Sequence, residues 1–216
     1  MTPGFLDILR TLLAGAATAA QVAGGAVVIA LAGGLLLALA IVFTRSNALR
    51  LVIGAYVEWM RNVPALAHLF VLYFGLAAVG VRFSPLGAAV LGLGLVGAAV
   101  LADVFASGLR ALHAGQREAA LAAGLTPTQA LRYVLLPQML RLTLPSIGNY
   151  ASQLIKDTSI ASAIAAPEIM FYARNLVTST FQTPLIYGGA ILLYACIVLP
   201  VSSAFAFMSR RLELGR

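Results

Sequence analysis

The chain has 216 residues, of which 61% are hydrophobic and only 10% are charged, and its formal net charge is +7. Soluble domains are about half apolar and about a quarter charged, so this composition excludes an ordinary soluble protein and indicates an integral membrane protein. The arginines lie in loops beside apolar segments. This is the charge pattern of membrane topology, and it argues against nucleic acid as the partner of the positive charge.

The first segment of the chain is amphipathic over residues 3–15. It predicts a short helix that lies in the membrane interface rather than a cleaved signal peptide, because a full spanning run follows directly. Its apolar face is formed by Phe5, Leu6, Ile8, Leu9, Leu12 and Leu13.

Five segments are long enough to cross the hydrocarbon, which takes about 20 residues of helix. Lipid offers no partner to free backbone groups, so each crossing must be helical. The fourth segment is too polar for a strict hydropathy window. We therefore expect one all-α integral membrane domain over residues 1–216, with about five transmembrane helices: Gln21–Phe43, Leu51–Leu76, Pro85–Leu109, Gln138–Ala165 and Pro184–Met208.

The distribution of arginine predicts the orientation. Arg10, Arg82 and Arg174 fall on one side of the five crossings, and the positive-inside rule makes that side external. The N-terminus is then outside, and the C-terminus and residues 111–137 are in the cytoplasm. The arginines on the cytoplasmic side are Arg45, Arg50, Arg110, Arg117, Arg132, Arg141, Arg210, Arg211 and Arg216.

Small residues recur every fourth position in the first and third segments. This spacing favours close packing of helices in lipid, and a role in lining a pathway is the alternative. The two series are Ala26, Ala30, Gly34 and Ala38, and Gly94, Ala98, Ala102 and Ala106.

The cytoplasmic loop, residues 111–137, is polar and basic, and it lies between strongly apolar segments. Its sequence predicts a short helix over Gly115–Gly124 that ends at a left-handed Gly124. Thr126 and Gln129 have the spacing of a capping box, with Pro127 in the first turn of a second helix. Two short helices with a bend between them would form a compact projection from the membrane.

The loop also carries the spacing EAA-x3-G-x9-[IV]-x-LP, with Val134 at the branched position. With this motif the chain resembles the integral membrane permease subunits of bacterial ABC importers, and among them the polar amino-acid permeases. Tyr56–Leu76 and Leu144–Ser162 extend the resemblance over nearly the whole chain, and the latter includes the tetrapeptide KDTS at Lys156–Ser159.

The resemblance implies that the loop is a coupling helix, which docks in a cleft on a separate ABC ATPase subunit. It also implies a second permease subunit, identical or homologous, and an extracytoplasmic solute-binding protein. The subunit would move a polar amino acid, with an acidic or amide amino acid favoured, across the bacterial inner membrane by alternating access. The docking residues implied by the motif and its surroundings are Gly115, Gln116, Glu118, Ala119, Ala120, Gly124, Leu136 and Pro137.

The third segment departs from the family pattern. Where the family tends to have Tyr, Glu and Arg in AY-x-AE-x2-RGG, this chain has Val100, Asp103 and Ala106. These positions lie where a substrate could pass, so the resemblance does not carry over the identity of the substrate.

The chain contains no P-loop through which it could bind ATP. A P-loop requires GxxxxGK[ST], and the single lysine, Lys156, follows no glycine run. We therefore expect a transport subunit that is not an enzyme, with ATP and Mg²⁺ on a partner chain and no cofactor of its own. His68 and His113 lack a second ligand at metal spacing, so no metal site is expected.

Ionisable residues at membrane depth are costly and usually face the bundle interior or water. Glu58 and Arg61 are three residues apart and can pair on one helix face, either as a structural pair or as contacts of a substrate or gate. Asp103 has no basic residue one turn away, which leaves a substrate amine or an arginine of another helix as its partner. The candidate pathway residues are Glu58, Arg61, Asp103, Asn149, Gln153, Lys156 and Asp157.

Asn149, Gln153 and Lys156 follow one face of the fourth segment, and we call them the polar stripe. A stripe of this kind in a five-helix unit predicts burial against a second subunit. The rival interpretation is a self-sufficient ion-coupled secondary amino-acid transporter or channel, in which Asp103 or Lys156 and Asp157 couple the ions. A membrane scaffold without transport activity is the weaker alternative.

Overall fold

The computed structural model describes residues 4–213, and over this range it contains helices and no strand. We number the helices in chain order. They are α1 (Phe5–Phe43), α2 (Asn47–Asn62), α3 (Ala65–Ala78), α4 (Pro85–Ala111), α5 (Ala114–Ala122), α6 (Pro127–Ala130), α7 (Leu136–Asp157), α8 (Ile169–Thr180) and α9 (Thr183–Glu213).

We expected an interfacial helix over residues 3–15 that is separate from the first crossing, and this boundary is absent from the described part of the first helix. Phe5–Phe43 is one continuous helix, about 58 Å long at 1.5 Å per residue. No Pro interrupts this range, and Ala and Gly allow close packing. Ile8 and Leu12 are buried against α8 and α9, which holds the first turns in line with the rest. Residue 3, where the expected helix starts, lies outside the described residues.

The second crossing is also corrected, because it is broken rather than a single span over Leu51–Leu76. α2 and α3 are bent by 105° at a short break. Pro64 explains the break, since a residue before proline is driven out of the helical region, and Val63 is extended with ψ 135°. A π-helical turn at Val71–Gly75 lies within α3.

The small-residue series of α1 and α4, which the sequence favoured as packing faces, pack against each other. Ala30 and Ala102 are fully buried, and a Cβ placed on Gly34 would lie only 2.7 Å from the Leu101 Cβ atom. This contact between α1 and α4 is the most extensive in the bundle.

The fourth segment begins earlier than expected and changes its helical type twice. α6 continues through a π-helical turn at Leu131–Leu135 into α7. The turn accommodates Pro137, which has no amide hydrogen to donate and would clash with the carbonyl one turn earlier. After Asp157 the chain continues as a 3₁₀ helix, Thr158–Ile164, and ends at a left-handed Ala165.

The pattern of apolar helices matches the expected membrane fold. Within residues 4–213, three helices are long and apolar enough to cross a membrane: Phe5–Phe43, Pro85–Ala111 and Thr183–Leu212. α2 and α3 meet the same criteria together. α7 is more polar, and it packs against both α4 and α9.

Candidate functional site

The projection predicted from residues 111–137 is present, and we call Ala114–Ala130 the knob. His113 caps the start of α5, and its Nδ1 atom accepts a hydrogen bond from the Gly115 amide at 3.1 Å. Just after the helix, Gly124 has φ +85°, the left-handed conformation that the sequence predicted. The Leu125 amide donates to the Ala120 carbonyl at 3.1 Å, which completes the usual glycine-terminated helix end.

The second short helix has the predicted capping box. The Gln129 amide donates to Thr126 Oγ1 at 3.3 Å, and the Thr126 amide donates to Gln129 Oε1 at 2.9 Å. The two reciprocal bonds satisfy amides that the first turn of a helix leaves free. They fix the direction in which the chain leaves the bend.

The knob is attached to the bundle on one side and exposed on the other. Ala120 and Ala130 are buried, and Gln138 Nε2 donates to Gln116 Oε1 at 3.2 Å. Leu136 packs in the core beside the knob, whereas Pro137 is exposed within the first turn of α7. The remaining docking candidates and their neighbours form the exposed face: Gln116, Arg117, Glu118, Ala119, Leu121 and Gly124.

A groove of about 500 Å³ separates the knob from the ends of α1 and α4. Arg117 and Glu118 line one wall and Phe43 lines the other, so the groove is partly apolar and carries both charges. A capped projection whose exposed surface is partly apolar and partly charged can serve as a contact surface for another protein.

The intramembrane charges pair differently from the local pairing that the sequence allowed. Arg61 on α2 forms an ion pair with Asp103 on α4, not with Glu58. Glu58 Oε2 instead accepts a hydrogen bond from Asn62 Nδ2 at 2.9 Å. The Arg61 and Asp103 side chains are 43% and 46% exposed, so the pair remains accessible from the surface of the single subunit.

The polar stripe lies on the surface of α7. Asn149, Gln153 and Lys156 are all exposed in the single subunit. Gln153 Nε2 donates to Asp157 Oδ1 at 2.8 Å, which joins the half-buried carboxylate to the stripe. The stripe and the Arg61–Asp103 pair are separate groups, and no hydrogen bond or ion pair joins them among residues 4–213.

Glu168 is a functional candidate that the sequence analysis missed. Its side chain is fully buried at the start of α8, where Oε1 accepts from the Phe171 amide at 2.7 Å. Oε2 accepts from the Tyr194 hydroxyl of α9. An acidic residue directly before an apolar helical segment is a signal for a helix N-cap, but nothing in the local sequence indicates a partner 26 residues away.

Comparison with known proteins agrees with this architecture. Residues 8–215 match the family described as "Binding-protein-dependent transport system inner membrane component". The chain is 34% identical to the probable glutamine ABC transporter permease protein GlnM of Bacillus subtilis, over 86% of this chain and 88% of the relative. It is 31% identical to the glutamine transport system permease protein GlnP of Escherichia coli K12, over 87% and 88%.

Solved structures show the same fold. A structure described as an amino acid ABC transporter with histidines has a TM-score of 0.86 and 28% identity, and the match covers 98% of this chain and 100% of that one. The MetNI methionine ABC transporter, in an inward-facing conformation, has a TM-score of 0.80 at 20% identity, and this match supports the fold alone. The family match extends over nearly the whole chain, including the knob, the stripe and Glu168. This multi-pass membrane protein therefore belongs to the binding-protein-dependent transport system inner membrane component family.

Proposed function

We propose that this chain is the permease subunit of an ABC importer for a polar amino acid, and that it moves its cargo across the inner membrane by alternating access. The observation that carries the proposal is the knob: a capped, rigid pair of short helices that exposes Arg117, Glu118 and Leu121 beside a groove. A membrane subunit driven by another protein needs such a contact surface.

The energy source is a partner ATPase. The chain has one lysine, Lys156, and no glycine-rich phosphate loop before it, so a P-loop is absent from the sequence. ATP and Mg²⁺ then belong to the partner, and this subunit is not itself an enzyme. Closure of the ATPase dimer moves the two knobs, and the bundle transmits that movement to the pathway.

The pathway lies at the contact between two permease subunits. Asn149, Gln153 and Lys156 are exposed in the single subunit, yet polar and charged groups are unfavourable against lipid. A second subunit, identical or homologous, covers the stripe. Positive-inside counting supports an external N-terminus and a cytoplasmic knob and C-terminus, with a solute-binding protein delivering cargo to the external face.

The cargo is an amide or acidic amino acid. GlnM and GlnP, two relatives that match over more than four fifths of this chain, carry glutamine in their names, which supports the amide side of this choice. The stripe offers groups of both hydrogen-bonding types and a cation, which suits a zwitterion with a polar side chain.

Reconstitution in vesicles tests the proposal. The chain, its ATPase and its binding protein should give uptake of radiolabelled glutamine or glutamate that depends on ATP and on the binding protein. The control contains the chain alone under a proton gradient. Uptake in that control without an ATPase would contradict the proposal and favour an ion-coupled secondary transporter or channel.

A further inference from the structure

A cavity of about 250 Å³ lies between α7 and α9, separate from the groove beside the knob. Asn149 lines this cavity from α7, and Arg210, in the last turn of α9, also lines it. A Cβ placed on Gly148 would lie 2.5 Å from the Phe205 Cβ atom, so the two helices that form the walls are in close contact. The cavity therefore joins the first residue of the polar stripe to the end of the last helix.

Two serine hydroxyls in the wall of the cavity, Ser202 and Ser209, have already committed their hydrogen atoms. Ser152 Oγ donates to the Gly148 carbonyl at 2.9 Å, and a hydroxyl has a single hydrogen. Ser202 must therefore be the donor in its 2.8 Å bond with Ser152. Ser209 Oγ donates to the Phe205 carbonyl at 2.9 Å. Both serine oxygens thus offer only lone pairs to a ligand, and a ligand must bring hydrogen atoms to them.

Arg210 gives the cavity the opposite preference, because a guanidinium is always charged and has only donors. Its fork of N–H groups matches a carboxylate or a phosphate. A phosphate would satisfy Arg210, but it has little to donate to the serine oxygens. A free amino acid satisfies both, since its carboxylate accepts from Arg210 and its ammonium carries three hydrogen atoms for the acceptors. The combination of groups favours a zwitterion over a simple anion.

The spacing of the two serines indicates a ligand with polar groups at both ends. Ser202 and Ser209 are two turns apart on α9, about 10.5 Å along the helix axis, so one ammonium group cannot reach both. A side-chain amide supplies hydrogen atoms for the second serine, and the Asn149 carboxamide can accept from it or donate to it. The volume is below the about 300–1,000 Å³ of pockets for drug-sized ligands, which suits a small metabolite.

We propose that this cavity is a cytoplasmic subsite for a free amino acid with an amide side chain. Arg210 binds the α-carboxylate, Ser209 accepts from the α-ammonium, and Ser202 and Asn149 bind the side-chain amide. The inference rests on the proposed function, which supplies the class of cargo and the cytoplasmic position of the end of α9. An amino acid that enters from the cytoplasm occupies Asn149, the first residue of the stripe, and thereby slows the next import cycle.

The experiment measures the initial rate of uptake into vesicles that contain the complete transporter. ATP and increasing unlabelled glutamine are in the lumen, and the binding protein and labelled glutamine are outside. Luminal glutamine should inhibit the wild type, and Arg210→Gln should raise the half-inhibitory concentration roughly tenfold or more, as expected for lost hydrogen bonds to a charged group. Arg211→Gln is the matched control, because Arg211 does not line the cavity and lies over the Phe207 ring, 4.8 Å from its centroid. It should leave the half-inhibitory concentration unchanged.

A serine substitution gives a second, independent readout. Ser209→Ala should raise the half-inhibitory concentration roughly three- to tenfold, the range for one hydrogen bond, whereas Ser203→Ala should not. Ser203 is the matched control, because it is exposed on α9 and does not line the cavity. If Arg210→Gln cannot be recovered from membranes, Ser209→Ala decides alone, since the Ser209 hydroxyl donates to a carbonyl of its own helix.

Luminal probes distinguish the zwitterion from other ligands with an anionic group. N-acetylglutamine lacks the ammonium and inorganic phosphate is an anion alone, so both should inhibit at least roughly tenfold more weakly than glutamine. Equal inhibition by either probe would show a simple anion site and overturn the inference. Loss of glutamine inhibition when phosphatidylglycerol is added to phosphatidylcholine vesicles would assign the cavity to a lipid phosphate instead.

Two further results would overturn the inference while leaving the proposed function intact. One is wild-type uptake that luminal glutamine does not slow, and the other is equal inhibition of the wild type and of Arg210→Gln. Absence of ATP-dependent uptake by the wild-type transporter would instead overturn the proposed function, and this inference with it.

Discussion

Arg61 of α2 and Asp103 of α4 form an ion pair across two helices that are far apart in sequence. The pair connects the broken second crossing to the small-residue core formed by α1 and α4. Asp103 is also a position where this chain departs from the family pattern. The ion pair with Arg61 is a structural reason for an acidic residue at this position.

Neutralising one member of this pair should be worse than neutralising both. Arg61→Gln or Asp103→Asn leaves an unpaired charge at membrane depth, at a cost of about 2.5–3.5 kcal/mol on insertion scales. The double variant removes both charges and should recover most of the folded protein in membranes. The measurement is the yield of folded complex together with its uptake activity.

The outcome also separates a structural role of the Arg61–Asp103 pair from a contact with the cargo. Recovery of both yield and uptake in the double variant indicates a structural pair. Recovery of yield without uptake assigns a contact with the cargo to these side chains. Additive losses in the double variant would contradict the ion pair itself.

Because α1 packs closely against the start of α8, one added methyl group at Gly15 should lower the stability of the complex. Gly15→Ala would place its Cβ 2.7 Å from the Ile169 amide nitrogen, and it should destabilise the complex by about 1–3 kcal/mol. Gly24→Ala on the same helix meets no atom within 4 Å and should be neutral or stabilising by up to about 1 kcal/mol. Thermal unfolding of the purified complex provides the comparison, and equal effects would refute the close contact.

Local sequence rules were sufficient for the knob and for the small-residue contacts. Gly124, Thr126 and Gln129 act on neighbours within one turn, so their spacing alone predicted the helix end and the capping box. Ala30 and Ala102 belong to series with a four-residue period, which identifies a packing face without knowledge of its partner.

The features that the sequence analysis predicted wrongly or missed depend on contacts between residues that are far apart in the sequence. The second crossing was predicted as one span although Pro64 is a local signal for a break, and the 105° angle at that break depends on how α3 packs against α4. The continuity of α1 depends on burial of Ile8 by helices near the opposite end of the sequence. The Glu168–Tyr194 bond likewise joins positions that no local period relates.

The polar stripe predicts a loss of transport on removal of one amide. Gln153→Ala deletes the group that donates to Asp157 at 2.8 Å and should lower uptake roughly tenfold, equivalent to about 1.4 kcal/mol. Thr178→Ala on α8 is a suitable control, because Thr178 is exposed and its hydroxyl donates only to carbonyls of its own helix. Unchanged uptake in Gln153→Ala would favour a structural role for the stripe.

The left-handed conformation of Gly124 predicts that the bend in the knob requires glycine at this position. Gly124→Ala imposes a side chain at φ +85°, which should cost about 1–2 kcal/mol and loosen the end of α5. Gly54→Ala, in the middle of α2 and without atoms within 4 Å, is the control and should not reduce uptake. Uptake by Gly124→Ala at the wild-type rate would show that the bend is not needed for coupling.

The central claim is that the knob receives mechanical work from an ATPase, and Glu118 on its exposed face tests this most directly. Uptake and stimulated ATP hydrolysis should be measured on the same vesicles for Glu118→Arg and for the milder Glu118→Gln. Charge reversal is expected to reduce uptake to background while the amount and thermal stability of the membrane bundle match the wild type, with Glu118→Gln intermediate. Wild-type uptake by Glu118→Arg would contradict the docking role of the knob.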